Sequence, residues 1–376
     1  MSKFLILETN LDGHRLEFLH HIYNKAVSDP GQLYYFAIPH YFEDVEKNLN
    51  WDKTPNIIFI RLTNKQIAFI EKTNFINSGI HRLKLIYQLC RKYHIDRVIL
   101  ISLMHYLPFL FLFNYKEAKI SGIVYSLFLY EKSTTGKLKY KLKNLLFTLI
   151  TTKDNFDKIF ILNDHNGTEL LNKKYNSNKY LYLPDPIPDI NMRSIKSIRA
   201  DYGINDNQMV YLHFGALTKR KGTLDILQAI DILERKQIEN KVFIFAGKVY
   251  DDIKEEFYSL SRKLENKARI IILDEFVEYQ TLYNLCYSCD FILLPYLSTN
   301  ASSGVIGYAA FFKKQVMGPK DGIIGGLINN YNLGVTIPHI TKENIANAII
   351  QMKKKEMVTT YVEDHSSLVF SDILLS

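Results

Sequence analysis

Short apolar runs alternate along the chain with longer segments in which apolar residues recur at helical spacing. The first run, KFLILET, is followed by HRLEFLHHIYNKAV, whose apolar side chains fall on one side of a helix. The short runs predict buried strands and the longer segments predict amphipathic helices. Strands that alternate with helices are typical of βαβ units and parallel sheets, so we expect an α/β protein.

The alternation occurs twice. The first series of strand candidates continues with QLYYFAIP, NIIFIRL, DRVILISL, KISGIVYSL and KIFILND, and the second comprises MVYLHFG, KVFIFAG, ARIIILDEF and DFILLPY. Between them lies KYLYLPDPIPDI, whose prolines cannot occupy a helix interior and which we interpret as a linker. We therefore predict two α/β domains, residues 1–185 and 190–360, with the tail 360–376 packing back on the first. Ligands of such folds bind at the carboxyl ends of strands, and two facing domains form a cleft.

The chain has 376 residues, which is long for a single core and fits two domains. Its net charge of +8 suits anionic partners such as nucleic acid, anionic lipid or phosphorylated small molecules. The sequence contains no zinc-finger spacing, no basic region with heptads and no aromatic RNA-binding signature, so we expect no nucleic-acid partner.

The sequence has three cysteines, and this low, odd number argues against a disulfide framework. It is compatible with a reducing compartment. The N-terminus MSKFLILETNL lacks the pattern of a signal peptide. The most apolar window, residues 98–113, is shorter than the about 20 residues that span a bilayer, and Pro108 interrupts it. We expect strand, turn and helix there and a cytoplasmic protein.

The segment HFGALTKRKGTLDILQAIDIL, residues 213–233, is the first candidate for binding chemistry. A strand ends at Gly215, a loop carries Lys219, Arg220 and Lys221, and a helix follows. A cationic loop before a helix start can neutralise a diphosphate, with the helix amides assisting. A solvated, lysine-rich turn is the alternative for this segment.

The segment NASSGVIGYAAFFKKQV, residues 300–316, is the second candidate. It follows the strand candidate DFILLPY and places Ser302, Ser303 and Gly304 at the start of an apolar helix. Glycine lets a backbone approach an anion closely, and serine hydroxyls cap a helix or donate to a phosphate. An ordinary serine N-cap is the alternative interpretation.

Together these segments resemble the donor-binding half of family 4 retaining glycosyltransferases, the glycosyltransferase group 1 enzymes of the GT-B fold. The matching stretches are HFGALTKRKGTLDILQAIDIL, FIFAG, LDEFVEYQTLYNLCYSCDFILLPY, SSGVIGYAAFFKKQV and YNLGV, and LETNLDGHRLEFLHHI is similar to the glycine-bearing first loop. The resemblance implies two Rossmann-like domains with parallel sheets facing across an interdomain cleft. It also implies a retaining hexosyltransferase with a UDP- or GDP-sugar donor and no metal or other cofactor. Its acceptor would be a glycan or a lipid-linked molecule, and the enzyme would act in bacterial surface polysaccharide or lipopolysaccharide synthesis.

The resemblance implies roles for individual residues. Lys221 matches the lysine that contacts the donor diphosphate, and Arg220 or Lys219 would supply a second charge. Gly215 matches the glycine that ends the first strand of the donor domain. Catalysis in this class is mostly charge stabilisation and positioning, and the diphosphate oxygen itself takes the acceptor proton. The full donor-binding set that we predict is Gly13, His14, Arg15, Gly215, Lys221, Phe276, Ser302, Ser303, Gly304 and Tyr308.

Two positions depart from the family pattern. Its pair of glutamates, which touch the donor sugar and the ribose, falls on Asn300 and Tyr308. We assign Asn300 to the catalytic set by position, and we regard the chain as a divergent SSGVxGxAA branch. Two alternatives stay open: a non-catalytic GT-B partner protein and a sugar-nucleotide epimerase of the same fold.

The segment GKLKYKLKNLLFTLI, residues 136–150, has leucines on one helical face with lysines around it. A basic amphipathic helix of this kind can lie on an anionic membrane surface. The alternative is a helix that packs on the N-terminal sheet and keeps its lysines in water. We therefore expect a cytoplasmic protein with a possible peripheral position at the inner face of the plasma membrane.

Overall fold

A computed structural model describes the chain except for residues 12–13, 43–50, 52–53, 72, 128 and 130–136. The chain divides into two compact units, one formed by Met1–Pro186 with Ser367–Ser376 and the other by Ile187–Ser366. Each unit contains one parallel sheet, so the predicted α/β fold with two parallel sheets is confirmed.

The first unit is built on a seven-stranded parallel sheet with strand order β3-β2-β1-β4-β5-β6-β7. On β1, Leu5 and Leu7 join the core on one side of the sheet, and Phe4 and Ile6 join the core on the other. Because both faces are covered, the strand is a continuous apolar run and does not alternate with polar residues. The strands are β1 Lys3–Leu7, β2 Leu33–Pro39, β3 Ile57–Leu62, β4 Arg97–Leu100, β5 Lys119–Val124, β6 Phe156–Leu162 and β7 Tyr180–Leu183.

The helices of the first unit cover both faces of this sheet. They are α1 His14–Val27, α2 Asn64–Glu71, α3 Phe75–Tyr93, α4 Leu107–Leu110, α5 Lys137–Thr151 and α6 His165–Tyr175, with 3-10 helices at His40–Phe42 and Leu103–His105. Helix α3 is capped by the Asn74 side chain, which accepts from the Asn77 amide, and it ends at His94 in the left-handed conformation. None of the described helices combines the length and the apolarity that a membrane span requires.

The second unit is built on a six-stranded parallel sheet with strand order β10-β9-β8-β11-β12-β13. Its strands are β8 Met209–Phe214, β9 Lys241–Ala246, β10 Arg269–Leu273, β11 Phe291–Leu293, β12 Gln315–Pro319 and β13 Gly334–Ile337. Its helices are α7 Thr223–Ile232, α8 Arg235–Ile238, α9 Lys254–Leu264, α10 Tyr279–Ser288, α11 Val305–Phe311, α12 Gly322–Asn330, α13 Lys342–Gln351 and α14 Tyr361–Asp364, with 3-10 helices at Met192–Ser194 and Lys219–Lys221.

The tail returns to the first unit as helix α15, Ser367–Leu375. It packs against α1, where the ring centroids of Phe370 and Phe18 are 4.8 Å apart and Lys25 Nζ is 2.5 Å from Asp372 Oδ1. Arg97 Nη1 also donates to the Ser376 carbonyl at 2.6 Å. An apolar and an ionic contact therefore fix the tail on one helix of the first unit.

The structure differs from the sequence prediction in three strands. The segment interpreted wholly as a linker begins with β7, an edge strand that stops where Pro184 would remove a ladder donor. Strands β12 and β13 were not predicted. β12 starts directly after a lysine pair in which Lys313 has a φ of 53°, and β13 has only four residues. Neither has the long apolar run that identifies the central strands.

Candidate functional site

The second sheet reverses its strand order beside β8, because the chain leaves β8 towards β9 on one side and reaches β11 on the other. In open α/β sheets, the crevice outside the carboxyl ends of the strands at such a switch point is the usual ligand site. Two loops leave from these ends, residues 215–222 after β8 and residues 294–304 after β11. They are the two segments that the sequence analysis selected.

Gly215 occupies a backbone conformation that favours glycine, with a φ of 95°. A Cβ atom at this position would lie 2.7 Å from Lys221 Nζ. The lysine ammonium therefore lies directly over the turn at the end of β8. At the end of the neighbouring strand β9, a Cβ on Gly247 would lie 1.9 Å from the Gly215 carbonyl oxygen. Side chains are thus excluded from both strand ends.

The two loops contact each other through the backbone. The Leu297 amide donates to the Arg220 carbonyl at 2.9 Å. A Cβ on Gly222, whose φ is 69°, would lie 2.0 Å from the Pro295 carbonyl oxygen, so only glycine permits this approach. Segments separated by about 80 positions in the sequence (Gly215 to Pro295) are therefore neighbours at the switch point.

Lys221 is held by an aromatic ring. Its Nζ lies 5.2 Å from the centroid of the Tyr296 ring, within the range of a cation–π interaction. In the part of the chain that the structure describes, no carboxylate forms an ion pair with Lys221 or with the exposed Arg220. The positive charge at the end of β8 is consequently available to an anionic ligand.

His213 is the penultimate residue of β8, and its ring connects this strand to β11 and to the start of α7. Its Nδ1 is 2.8 Å from the Leu293 carbonyl and its Nε2 is 3.0 Å from Thr223 Oγ1. Burial lowers the pKa of His213 to about 4, and the charge of Lys221 adds to this effect. The neutral ring therefore donates from Nδ1 to the carbonyl and accepts the Thr223 hydroxyl proton at Nε2. This contact between β8, β11 and the start of α7 was not predicted, because a histidine within an apolar run carries no signal of its partners.

The serine-glycine segment lies where the prediction put it, at the start of helix α11. Gly304 precedes the helix with a φ of −56° and a ψ of −18°, and the Ile306 amide donates to the Ser303 carbonyl at 3.0 Å. Ser303 Oγ donates to the Tyr296 hydroxyl at 3.3 Å. Since the Lys221 ammonium also contacts the Tyr296 ring, Ser303 and Lys221 share Tyr296 as a neighbour. Their role in donor binding stays a prediction.

The positions that replace the family glutamates differ in environment. Tyr308 is 7% exposed and packs edge-to-face on Phe214 with ring centroids 5.8 Å apart, while Asn300 is partly exposed in the loop. The ring of Tyr308 thus reaches the end of β8 but belongs to the packing of α11. Phe276 follows β10 and is 83% exposed. The described ring contacts do not join it to Tyr308 or to the Tyr296 ring beside Lys221.

The remaining predicted residues lie in the first unit. Gly13 falls outside the described residues. His14 begins helix α1, and its Nδ1 is 3.4 Å from Glu17 Oε2. Arg15 Nε donates to Ser102 Oγ at 3.1 Å and lies 3.8 Å from Glu8 Oε2. Arg15 is therefore anchored where β1 and β4 end, which is the switch point of the first sheet.

No cluster of three or more potential metal ligands occurs among the residues that the structure describes. The candidate site of the second unit is thus made of cations, hydroxyls and backbone amides.

Residues 194–365 match the family model described as "Glycosyl transferases group 1". The match covers most of the second unit and slightly less than half of the chain. The sequence matches no curated protein.

Solved structures with the same fold include glycosyltransferases and an epimerase. Anabaena Alr3699/HepE in complex with UDP and glucose has a TM-score of 0.66 at 13% identity, covering 100% of this chain and 98% of that chain. WaaG, a glycosyltransferase involved in lipopolysaccharide biosynthesis, has a TM-score of 0.62 at 14% identity, covering 99% and 93%. UDP-GlcNAc 2-epimerase from Methanocaldococcus jannaschii has a TM-score of 0.61 at 14% identity, covering 100% and 99%. The fold is the GT-B fold, two Rossmann-like units with parallel sheets.

Proposed function

We propose that this protein is a glycosyltransferase that moves a sugar from a nucleotide-sugar donor to a glycan or lipid-linked acceptor. The observation that carries the proposal is the position of Lys221, whose Nζ lies over the side-chain-free turn at Gly215 and on the Tyr296 ring. An ammonium group over a bare backbone turn at a switch point suits a diphosphate.

The chemistry that we propose is stabilisation of the leaving diphosphate. Lys221 and Arg220 would offset the charge that develops as the bond from the sugar to the diphosphate breaks. Backbone amides at Ser302, Ser303 and Gly304 would add hydrogen bonds to the same group, and Asn300 would face the donor sugar. Transfer with retention, in which the diphosphate oxygen accepts the acceptor proton, needs no carboxylate base.

The donor that we propose is a UDP- or GDP-sugar. A uridine nucleotide is favoured by the similarity to HepE, which was crystallised with UDP and glucose. We propose that Tyr308 lies beside the nucleoside and that Phe276 is an exposed ring near the base. Neither side chain supplies the bidentate carboxylate that holds a ribose in the related family.

We further propose that the enzyme meets its acceptor at a membrane surface and acts in bacterial surface polysaccharide synthesis. The similarity to WaaG, a glycosyltransferase involved in lipopolysaccharide biosynthesis, supports this choice of pathway. Helix α5 adds a physical reason: Leu138, Leu142 and Leu145 are 83%, 54% and 53% exposed on one face of the helix. The opposite face is buried through Phe147 and Ile150. The buried face agrees with packing on the N-terminal sheet, and the exposed leucines support the proposed membrane contact.

Lysines complete this surface. Lys137 and Lys141 are exposed on α5, and Lys174 of the neighbouring helix α6 lies over the Tyr140 ring at 5.6 Å. Exposed leucines flanked by cations suit the boundary of an anionic bilayer. We propose a cytoplasmic protein that binds peripherally through α5.

The reaction products distinguish the proposed transferase from the two alternatives, an epimerase and a non-catalytic partner protein. The protein is incubated with radiolabelled UDP-glucose, UDP-GlcNAc or GDP-mannose and a bacterial lipid extract, and the label is followed into glycan, free sugar and epimerised nucleotide sugar. Label in a new glycosidic product supports the transferase. Conversion of the nucleotide sugar alone indicates an epimerase, and binding without any conversion indicates a non-catalytic partner protein.

A further inference from the structure

Arg82, on helix α3 of the first unit, is a buried cation. It is 8% exposed, and its hydrogen bonds go to neutral hydroxyls: Nη1 donates to Thr9 Oγ1 at 2.9 Å and Nε to Ser78 Oγ at 3.4 Å. The guanidinium carbon lies 5.1 Å from the centroid of the Tyr106 ring. Throughout the described chain, no carboxylate forms an ion pair with Arg82.

Buried charges in proteins are ordinarily paired, because removing an ion from water without a counter-charge is costly. Arg82 lacks that counter-charge although it lies at the carboxyl end of β1, beside Thr9. A buried arginine that keeps only hydroxyl partners is therefore a position where an anion from outside the chain would be stabilised.

A second arginine lies at the same strand end. Arg15 contacts the buried Glu8 through Nε, which is 3.8 Å from Oε2, and Nε also donates to Ser102. The side chain is 21% exposed, and in the described part of the chain its terminal nitrogens Nη1 and Nη2 have no hydrogen bond. The interior thus fixes one edge of the guanidinium and leaves the outer edge for a ligand.

The partners of the two arginines are themselves joined, because the Thr9 amide donates to Glu8 Oε1 at 2.7 Å, with Arg82 on Thr9 and Arg15 beside Glu8. In agreement with this geometry, the pKa of the nearby His105 is lowered to about 4, first by partial burial and then by the charges of Arg82 and Arg15. The local charge is positive even when Glu8 is ionised, since Glu8 offsets Arg15 and leaves Arg82 uncompensated. Burial in turn raises the pKa of Glu8, which weakens the charge that opposes Arg15.

We propose that Arg82 and Arg15 form an oxyanion-binding site at the switch point of the first sheet, and that this site takes a phosphate group of the acceptor. The inference rests on the proposed glycosyltransferase function and deepens it, because it names the chemical class of the acceptor. Guanidinium groups match phosphate oxygens in geometry and charge, and a neutral sugar hydroxyl would leave the charge of Arg82 without a partner. A sugar phosphate and a lipid-linked phosphate present the same group.

The test uses calorimetry of inorganic pyrophosphate with the full chain, after saturation with UDP to fill the nucleotide site. We expect the wild-type protein to bind pyrophosphate and Arg82→Met to bind it at least about tenfold more weakly, since a charge-assisted hydrogen-bond pair is lost. Arg91→Met, which removes an exposed arginine of the same helix, is the matched control and should bind as the wild type does. Equal affinity in Arg82→Met, or no pyrophosphate binding by the wild type, would overturn the inference.

Two further arms complete the design. If circular dichroism shows that Arg82→Met does not fold, Arg15→Gln takes its place, with the same expected loss, because that side chain is partly exposed. Glucose 6-phosphate and farnesyl diphosphate are then compared as competitors, to distinguish a soluble from a lipid-linked source. Competition by glucose or farnesol as strong as that by the phosphorylated forms would contradict an anion site. A protein that binds neither UDP nor GDP contradicts the proposed function instead, and the dependence on Arg82 still tests this inference.

Discussion

Replacing Lys221 by alanine removes the ammonium group that the structure places over the Gly215 turn. At a partly exposed position, two unit charges about 4 Å apart interact by about 4 kcal/mol at an effective dielectric constant of 20. The substrate keeps part of this stabilisation through Arg220, so we expect a loss of about 3 kcal/mol in the transition state, the size measured for a single oxyanion donor. This corresponds to a decrease of about 100-fold or more in kcat/KM.

The fold should tolerate this change. Lys221 is partly exposed, and its one described partner is the Tyr296 ring, a contact worth about 0.5–1 kcal/mol at an exposed site. The unfolding midpoint should therefore decrease by only a few degrees, since about 1 kcal/mol shifts it by roughly 2–4 °C in a unit of this size. Circular dichroism and thermal denaturation check this before any kinetic comparison.

The assay is initial-rate transfer at varied donor concentration, with the neighbouring Lys219→Ala as the matched control. Lys219 is exposed, and its backbone amide, which the substitution retains, donates to Asp252 Oδ2 at 3.2 Å. We expect Lys219→Ala to keep kcat/KM within about twofold, in line with the small effect of an exposed charge. Turnover by Lys221→Ala within about threefold of the wild type would refute the assigned role, because it would correspond to less than 1 kcal/mol.

Three further predictions follow from the same structure. Gly304→Val should abolish UDP-sugar binding in calorimetry yet leave the unfolding free energy nearly unchanged, because the φ of −56° suits any residue; undiminished binding would contradict the close approach of the diphosphate. The protein should co-sediment with phosphatidylglycerol vesicles and dissociate from them in high salt. Changing Leu138, Leu142 and Leu145 to serine should abolish co-sedimentation, and a triple variant that still co-sediments would exclude α5 as the membrane contact. The unfolding free energy should decrease as the pH falls from 6.5 towards 4, by up to about 3 kcal/mol, because the unfolded chain protonates His213 first; a His213→Gln variant with an undiminished decrease in urea titrations would contradict this.

The central strands of both sheets could be predicted from the sequence because they are covered on both faces. Runs such as KFLIL and KVFIFA are apolar at every position after the first lysine, so their burial leaves a signal that does not depend on neighbours. Two of the edge strands, β7 and β13, gave no such signal, whereas the edge strands β3 and β10 were predicted from NIIFIRL and ARIIILDEF. β7 and β13 have four residues each and carry partly exposed positions, and their pairing depends on a sheet that only the folded chain provides.

The candidate site could be predicted only in part. Lys221 and the Ser302–Gly304 segment were found because cations and small residues at the end of an apolar run form a local pattern. Tyr296 and His213 were not found, since their roles come from contacts with Lys221 and Thr223 that the strand order creates. Arg82 lies far from Thr9 in sequence, and no local pattern distinguishes a buried arginine on an amphipathic helix from a solvated one.

The decisive measurement is a calorimetric titration of the wild-type protein and Lys221→Ala with UDP-glucose, UDP-GlcNAc and GDP-mannose. We predict that at least one of these nucleotide sugars binds the wild-type protein with a Kd below about 1 mM. We also predict that Lys221→Ala weakens this binding at least about tenfold, which corresponds to 1.4 kcal/mol. Absence of binding by all three, or equal affinity in the variant, would contradict a nucleotide-sugar site at the switch point of the second sheet.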